Sequence, residues 1–153
     1  MIALPEPLPD DVHALLDPLD DRRKRGCAIL MAAMQHATGM PPRVWAGGIL
    51  GFGSYRYRYE SGREGESCAL GFAPRAREFV LYVHADALPA DRRALLVAAL
   101  GRVRQGKGCI YLTDPAAVPP DALAALLAAG VEALAASPTT TALDLDGQAA
   151  VKA

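Results

Sequence analysis

The 153 residues carry sixteen basic and seventeen acidic side chains, a net charge of −1, which falls well short of the positive field of a dedicated nucleic-acid surface. Hydrophobic residues make up 52% of the chain, much of it alanine, yet no apolar run approaches the roughly 20 residues that span a bilayer, so a membrane-spanning helix is excluded. Three cysteines, Cys27, Cys68 and Cys109, have no Cys-x-x-Cys spacing; this argues against a disulfide framework or zinc knuckle and reads them as small buried hydrophobes.

In chain order, the opening Met1 to Glu6 has neither the basic nor the long apolar region of a secretory signal, so a cytoplasmic location is expected. Three prolines in the first nine residues predict an extended arm over residues 1–11, with Asp10 capping a short turn through Val12 and Leu16. Asp17-Pro18 then reads as an N-cap followed by proline at the first helical position. Cys27, Leu30, Met31 and Met34 fall on one face of a helix that Gly39 ends.

From Trp45 to His84 the pattern changes to short β-like runs. Ser54 to Glu60 alternates, Ser61-Gly62 and Glu64-Gly65 punctuate, and Cys68 to Phe72 and Phe79 to His84 are further runs separated at Pro74. The connections are too short for parallel crossovers, so the pairing is antiparallel. Asp91 to Leu100 returns to a helical pattern that Gly101 stops, Cys109 to Leu112 reads as a strand, and Asp121 to about Ala135 as a closing helix. The residues from 137 to 153 show no periodicity and are expected to form a flexible tail beyond a single domain at 12–136. The predicted class is α+β: an antiparallel sheet of about four to six strands flanked by an N-terminal helix and C-terminal helices.

The stretch from Trp45 to Tyr59 concentrates glycine, aromatic and arginine residues. In a strand, Tyr55, Tyr57 and Tyr59 share one face and Arg56 and Arg58 the other. The simplest reading is a half-buried strand with its arginines in solvent; the alternative is a stacking platform for single-stranded nucleic acid, against which the low net charge and the missing RNP-type motif both argue. Two nucleotide-loop patterns fail: position 56 is arginine where Gly-x-Gly-x-x-Gly needs glycine, and Gly101 to Gly108 places glycine where a P-loop needs Ser or Thr and runs from helix to strand. Residues 43–108 hold eleven basic and six acidic side chains, an excess that favours an anionic ligand there. No catalytic motif joins the scattered His13, His36 and His84; catalysis would require a polar cleft bringing one histidine beside a nucleophile or carboxylate. The N-terminal aspartates Asp10, Asp11, Asp17, Asp20 and Asp21 are the one concentration of hard oxygen ligands, although capping and the helix dipole account for most of them, and Arg22 to Arg25 compete for their charge.

Thr38-Gly39, Pro42, Trp45, Gly-Phe-Gly at 51–53, Tyr55, Tyr57, Ser61-Gly62, Gly-Phe-Ala-Pro-Arg at 71–75, Leu81-Tyr82, Leu100-Gly101 and Gly-Lys-Gly-Cys-Ile-Tyr at 106–111 occur in an order that resembles the bacterial YdhG-like family, domain of unknown function 1801, over roughly residues 12 to 135. The chain departs from that pattern at Gly108, where many relatives have serine, and at Ser67 to Leu70, where they often have a tryptophan. The resemblance implies a compact α+β domain and no reaction. The group has been likened to frataxins, two-layer iron chaperones for iron–sulfur cluster assembly that use an acidic ridge on the first helix, which would give the five aspartates a role in holding iron. On the residues themselves, the expected function is a non-enzymatic module, without cofactor, that binds a small anionic ligand or a protein partner through Trp45, Tyr55, Tyr57, Arg75 and Lys107.

Overall fold

The computed structural model describes residues 8–145 and the backbone of residues 148–151. Helix α1 (Asp10–Leu16) and helix α2 (Asp21–Thr38) open the chain and buttress the sheet that follows. The predicted caps are displaced. Pro9 is the N-cap of α1, which leaves Asp10 and Asp11 in its first turn, and α1 therefore begins inside the span read as an arm, whose residues 1–7 lie outside the described residues. Asp17 ends α1, and the N-cap of α2 is Asp20, whose carboxylate accepts a 2.8 Å hydrogen bond from the Arg23 amide. Two Asp residues spaced by three offer equivalent caps on paper; the turn through Pro18 and Leu19 decides for the second. At the other end Gly39 adopts φ 70°, as the sequence predicts for a left-handed C-cap.

Strands β1 (Pro42–Trp45), β2 (Ile49–Phe52), β3 (Ser54–Arg58), β4 (Glu64–Ser67), β5 (Leu70–Pro74) and β6 (Phe79–Tyr82) follow. A 3-10 turn at Ala85–Ala87 leads to α3 (Ala90–Ala99), β7 (Arg104–Gln105) and β8 (Cys109–Leu112). Helix α4 (Pro120–Ala136), β9 (Thr140–Leu145) and β10 (Gln148–Val151) complete the described chain. Every strand pair is antiparallel, in one sheet ordered β1-β2-β5-β6-β8-β7 and a second ordered β10-β9-β3-β4. The fold is α+β, as the sequence predicts, with a second sheet that it does not.

The core lies on one face of the six-stranded sheet. Leu50, Phe52, Leu70, Phe72, Phe79, Leu81, Ile110 and Leu112 alternate onto that face and are fully enclosed by Leu30, Met31 and Met34 of α2 and Leu126 and Leu127 of α4. Burying each such side chain contributes roughly 1.5–3 kcal/mol. Gly26 admits this packing: a Cβ there would sit 2.3 Å from Cζ of Phe79, so only glycine lets the end of that ring come so close to α2.

The two sheets are joined by one bent hairpin. Its first arm passes from β2 to β3 through Gly53 at φ 66°, and its second returns from β4 to β5 through Cys68 and Ala69. The Ala69 amide donates to the Gly53 carbonyl at 3.3 Å, so both arms leave the first sheet at the same level. Here the sequence reading is corrected twice. Glu64-Gly65, read as a turn, belongs to β4, because Glu64 and Gly65 pair with Arg58 and Tyr57. Residues 137–153, read as a patternless tail, supply β9 and β10, with β9 pairing along the free edge of β3; residues 146, 147, 152 and 153 lie outside the described residues.

Candidate functional site

The bend creates a cleft at the seam between the sheets. Tyr55 and Ser67 reach it from the second sheet, Ile49, Tyr82 and Cys109 from the first, Cys68 from the bend, His84 and Asp86 from the segment after β6, and Lys107 and Gly108 from the turn before β8. Its volume is about 390 Å³, within the range of small-molecule sites. Register sets the floor: Gly71, Tyr82 and Cys109 are cross-strand partners and therefore point to one side. Gly71 matters because a Cβ there would lie 2.9 Å from Sγ of Cys68, so its bare backbone seats that thiol.

His84 is the strained residue of the site. It is the one described non-glycine residue at positive φ, 58°, a conformation that costs a side chain about 1–2 kcal/mol. Two contacts hold it. Tyr55 receives its ring edge-on at 5.3 Å between centroids, with planes 84° apart. Behind it, Gly130 of α4 presses on the Val83 carbonyl so closely that a Cβ would come within 2.2 Å of that oxygen. Burial pushes the imidazole below its ordinary pKa, while the backbones of Ala69 and Cys68 and the Asp86 carboxylate act in the opposite direction. His84 is consequently neutral at neutral pH. Burial likewise raises Cys68, and it raises Cys109 with help from Asp86, so both thiols stay protonated.

The cleft therefore does bring a histidine together with a carboxylate and two thiols, the juxtaposition that catalysis would require. Its electrostatics run against a thiolate nucleophile, because no cation or imidazolium depresses either sulfur. Cys109 is half-exposed rather than the buried hydrophobe read from sequence.

Of the five residues singled out in the sequence, the structure brings Tyr55 and Lys107 together in this cleft and leaves three outside its lining. Tyr57 rests on the bare backbone of Gly65, where a Cβ would meet its hydroxyl at 2.2 Å, and lies between Tyr55 and Tyr59 with its ring tilted to both. Arg75 donates to the Gly47 carbonyl at 3.0 Å and pins the β1-β2 turn. Trp45 covers Gly51, with the Arg43 guanidinium 4.9 Å from its ring centre. His84, Asp86 and Cys109 were missed as a group because no spacing in the sequence links them; only the register of β6 with β8 does.

The two rival surfaces carry their own counter-charges or are spread over two helices. Arg56 faces Glu66 and Arg58 faces Glu64 across β3 and β4, at 3.7 and 3.4 Å, so the arginine face of the hairpin is neutralised. The aspartates are dispersed over the first turn of α1, its end, and the cap and first turn of α2, and the backbone hydrogen bond from Arg23 holds Asp20 below the usual carboxylate range. Among the described residues no three His, Cys, Asp or Glu side chains are placed to hold a metal ion. No described helix is long and apolar enough to cross a membrane. Comparison with known protein families, curated proteins and solved structures returns no match.

Proposed function

We propose that the protein is a non-enzymatic binding module that takes a small anionic ligand in the seam cleft, with Lys107 as the cation and Tyr55 as the aromatic wall. The observation that carries this reading is the convergence of Tyr55 and Lys107, one from each side, on a cavity of about 390 Å³. Lys107 is exposed and forms no ion pair among the described residues, so its charge is available to a ligand. A cavity of that size suits a small molecule better than a protein partner, whose interface buries about 800 Å² on each side. The YdhG-like resemblance belongs with this reading, since it implies a domain and no reaction.

Calorimetric titration with ethyl phosphate tests it. A charge-assisted hydrogen bond contributes about 1.5–3 kcal/mol, so Lys107→Ala weakens binding tenfold or more. Arg75→Ala leaves the affinity unchanged, because that guanidinium is engaged with Gly47. Binding that responds to Arg75 and ignores Lys107 overturns the assignment.

A further inference from the structure

The same cleft holds a second charge of opposite sign. Asp86 lies on the turn after β6, close enough to the β7-β8 turn that a Cβ on Gly108 would lie 3.4 Å from its Oδ1. Among the described residues neither Asp86 nor Lys107 forms a salt bridge, with each other or with any third group. Two aromatic rings, Tyr55 and Tyr82, line the cavity with them, and the neutral His84 adds no competing charge.

The geometry points to a zwitterionic ligand: a small molecule carrying an anionic group for Lys107 and an ammonium group that sits against the Asp86 carboxylate and the tyrosine faces. The inference rests on the binding reading above. It follows from the charge count of the cavity, because a purely anionic ligand would be drawn by Lys107 and repelled by Asp86, whereas a ligand with both signs satisfies both. The tyrosine rings add the attraction that a π face offers an ammonium within about 6 Å.

Matched probes separate the two levels. Phosphoethanolamine and ethyl phosphate share the phosphate monoester and differ by an ammonium group. Titrated calorimetrically into the full chain, phosphoethanolamine binds about tenfold tighter than ethyl phosphate. Asp86→Asn removes that preference by weakening phosphoethanolamine and, by relieving the repulsion, improves the affinity for ethyl phosphate. Asp86 is exposed, so the fold survives the change, and Asp86→Ser provides a second variant with the same expected result. Equal affinities of the two probes, or a preference that persists in both variants, overturns the zwitterion while the Lys107-dependent anion site stands. Failure of both probes to bind overturns the site itself.

Discussion

At the residue scale the most exposed claim concerns His84. Its imidazole is depressed, so the folded state favours the neutral form. The stability this contributes is fully present above the unfolded value near 6.5 and is lost as pH falls through the lower folded value. His84→Asn keeps a residue that tolerates positive φ and removes the titration. Melting temperatures between pH 7 and pH 5 are expected to fall more steeply in the wild type than in the variant; parallel slopes would contradict the burial of the ring. Tyr55 gives the matching prediction at alkaline pH. Burial first, then the neighbouring Tyr59, Cys68, Tyr57 and Asp86, raise its phenol to about 12. Subtracting the phenolate absorbance of Tyr55→Phe from that of the wild type should leave a single tyrosine ionising near that value, and a difference curve centred at the ordinary value of about 10 would place Tyr55 in solvent. The stability linked to it is present below pH 10 and is lost as pH rises towards 12. Because both cleft thiols are raised, alkylation of Cys109 by iodoacetamide is expected to be slow at pH 7.5 and to accelerate only above the ordinary thiol value of 9.

At the element scale, glycines decide where the cleft sits. Gly130 is the clearest case, because two effects of opposite sign compete there. Alanine would gain about 1 kcal/mol of helix propensity, but its Cβ would fall on the Val83 carbonyl, a backbone atom that cannot swing aside. Gly130→Ala is expected to lose up to about 2 kcal/mol net in urea denaturation and to disturb the neighbouring His84; a stabilised variant would show that α4 does not press on the segment after β6. Gly53 is the hinge of the hairpin, where positive φ and a Cβ placed 2.8 Å from the Asp144 carbonyl oxygen coincide. Helices were legible in the sequence through the spacing of Cys27, Leu30, Met31 and Met34 and through Gly39. The N-termini of α1 and α2 were not, because the chain offers more aspartates there than caps. Strand β4 was hidden by Glu64 and Gly65, whose strand conformation comes from pairing with β3 rather than from their own preferences.

At the scale of the whole molecule, strands β5, β6 and β8 and the two helices packed on them follow from local patterns, whereas β1, β2 and β7 had no run of their own in the sequence and the second sheet depends on contact between distant parts of the chain. Strand β9 pairs with β3, and Thr141 donates its hydroxyl to the Arg56 carbonyl at 3.3 Å across 85 residues. Nothing in Thr140 to Leu145 announces that partner. The same reasoning explains the site: Tyr55 and Lys107 stood out in the sequence by composition, but the cleft that unites them with His84 and Asp86 exists only after the hairpin bends. Truncation after residue 137 is expected to expose the edge of β3 and to loosen Tyr55, which packs with Leu134 and Leu143 in a small second core, while leaving the main core in place. A truncated chain whose Tyr55 still titrates near pH 12 would contradict that dependence.

The central claim is that the seam cleft is where this protein meets its ligand. Amide chemical shifts followed by nuclear magnetic resonance during titration with ethyl phosphate test it most directly. The account predicts saturable shifts confined to Cys68, His84, Asp86, Gly108, Cys109 and their neighbours, with the midpoint moved at least tenfold higher by Lys107→Ala. Saturable shifts centred instead on Arg22 to Arg25 or on the Arg56 and Arg58 face of the hairpin would contradict it.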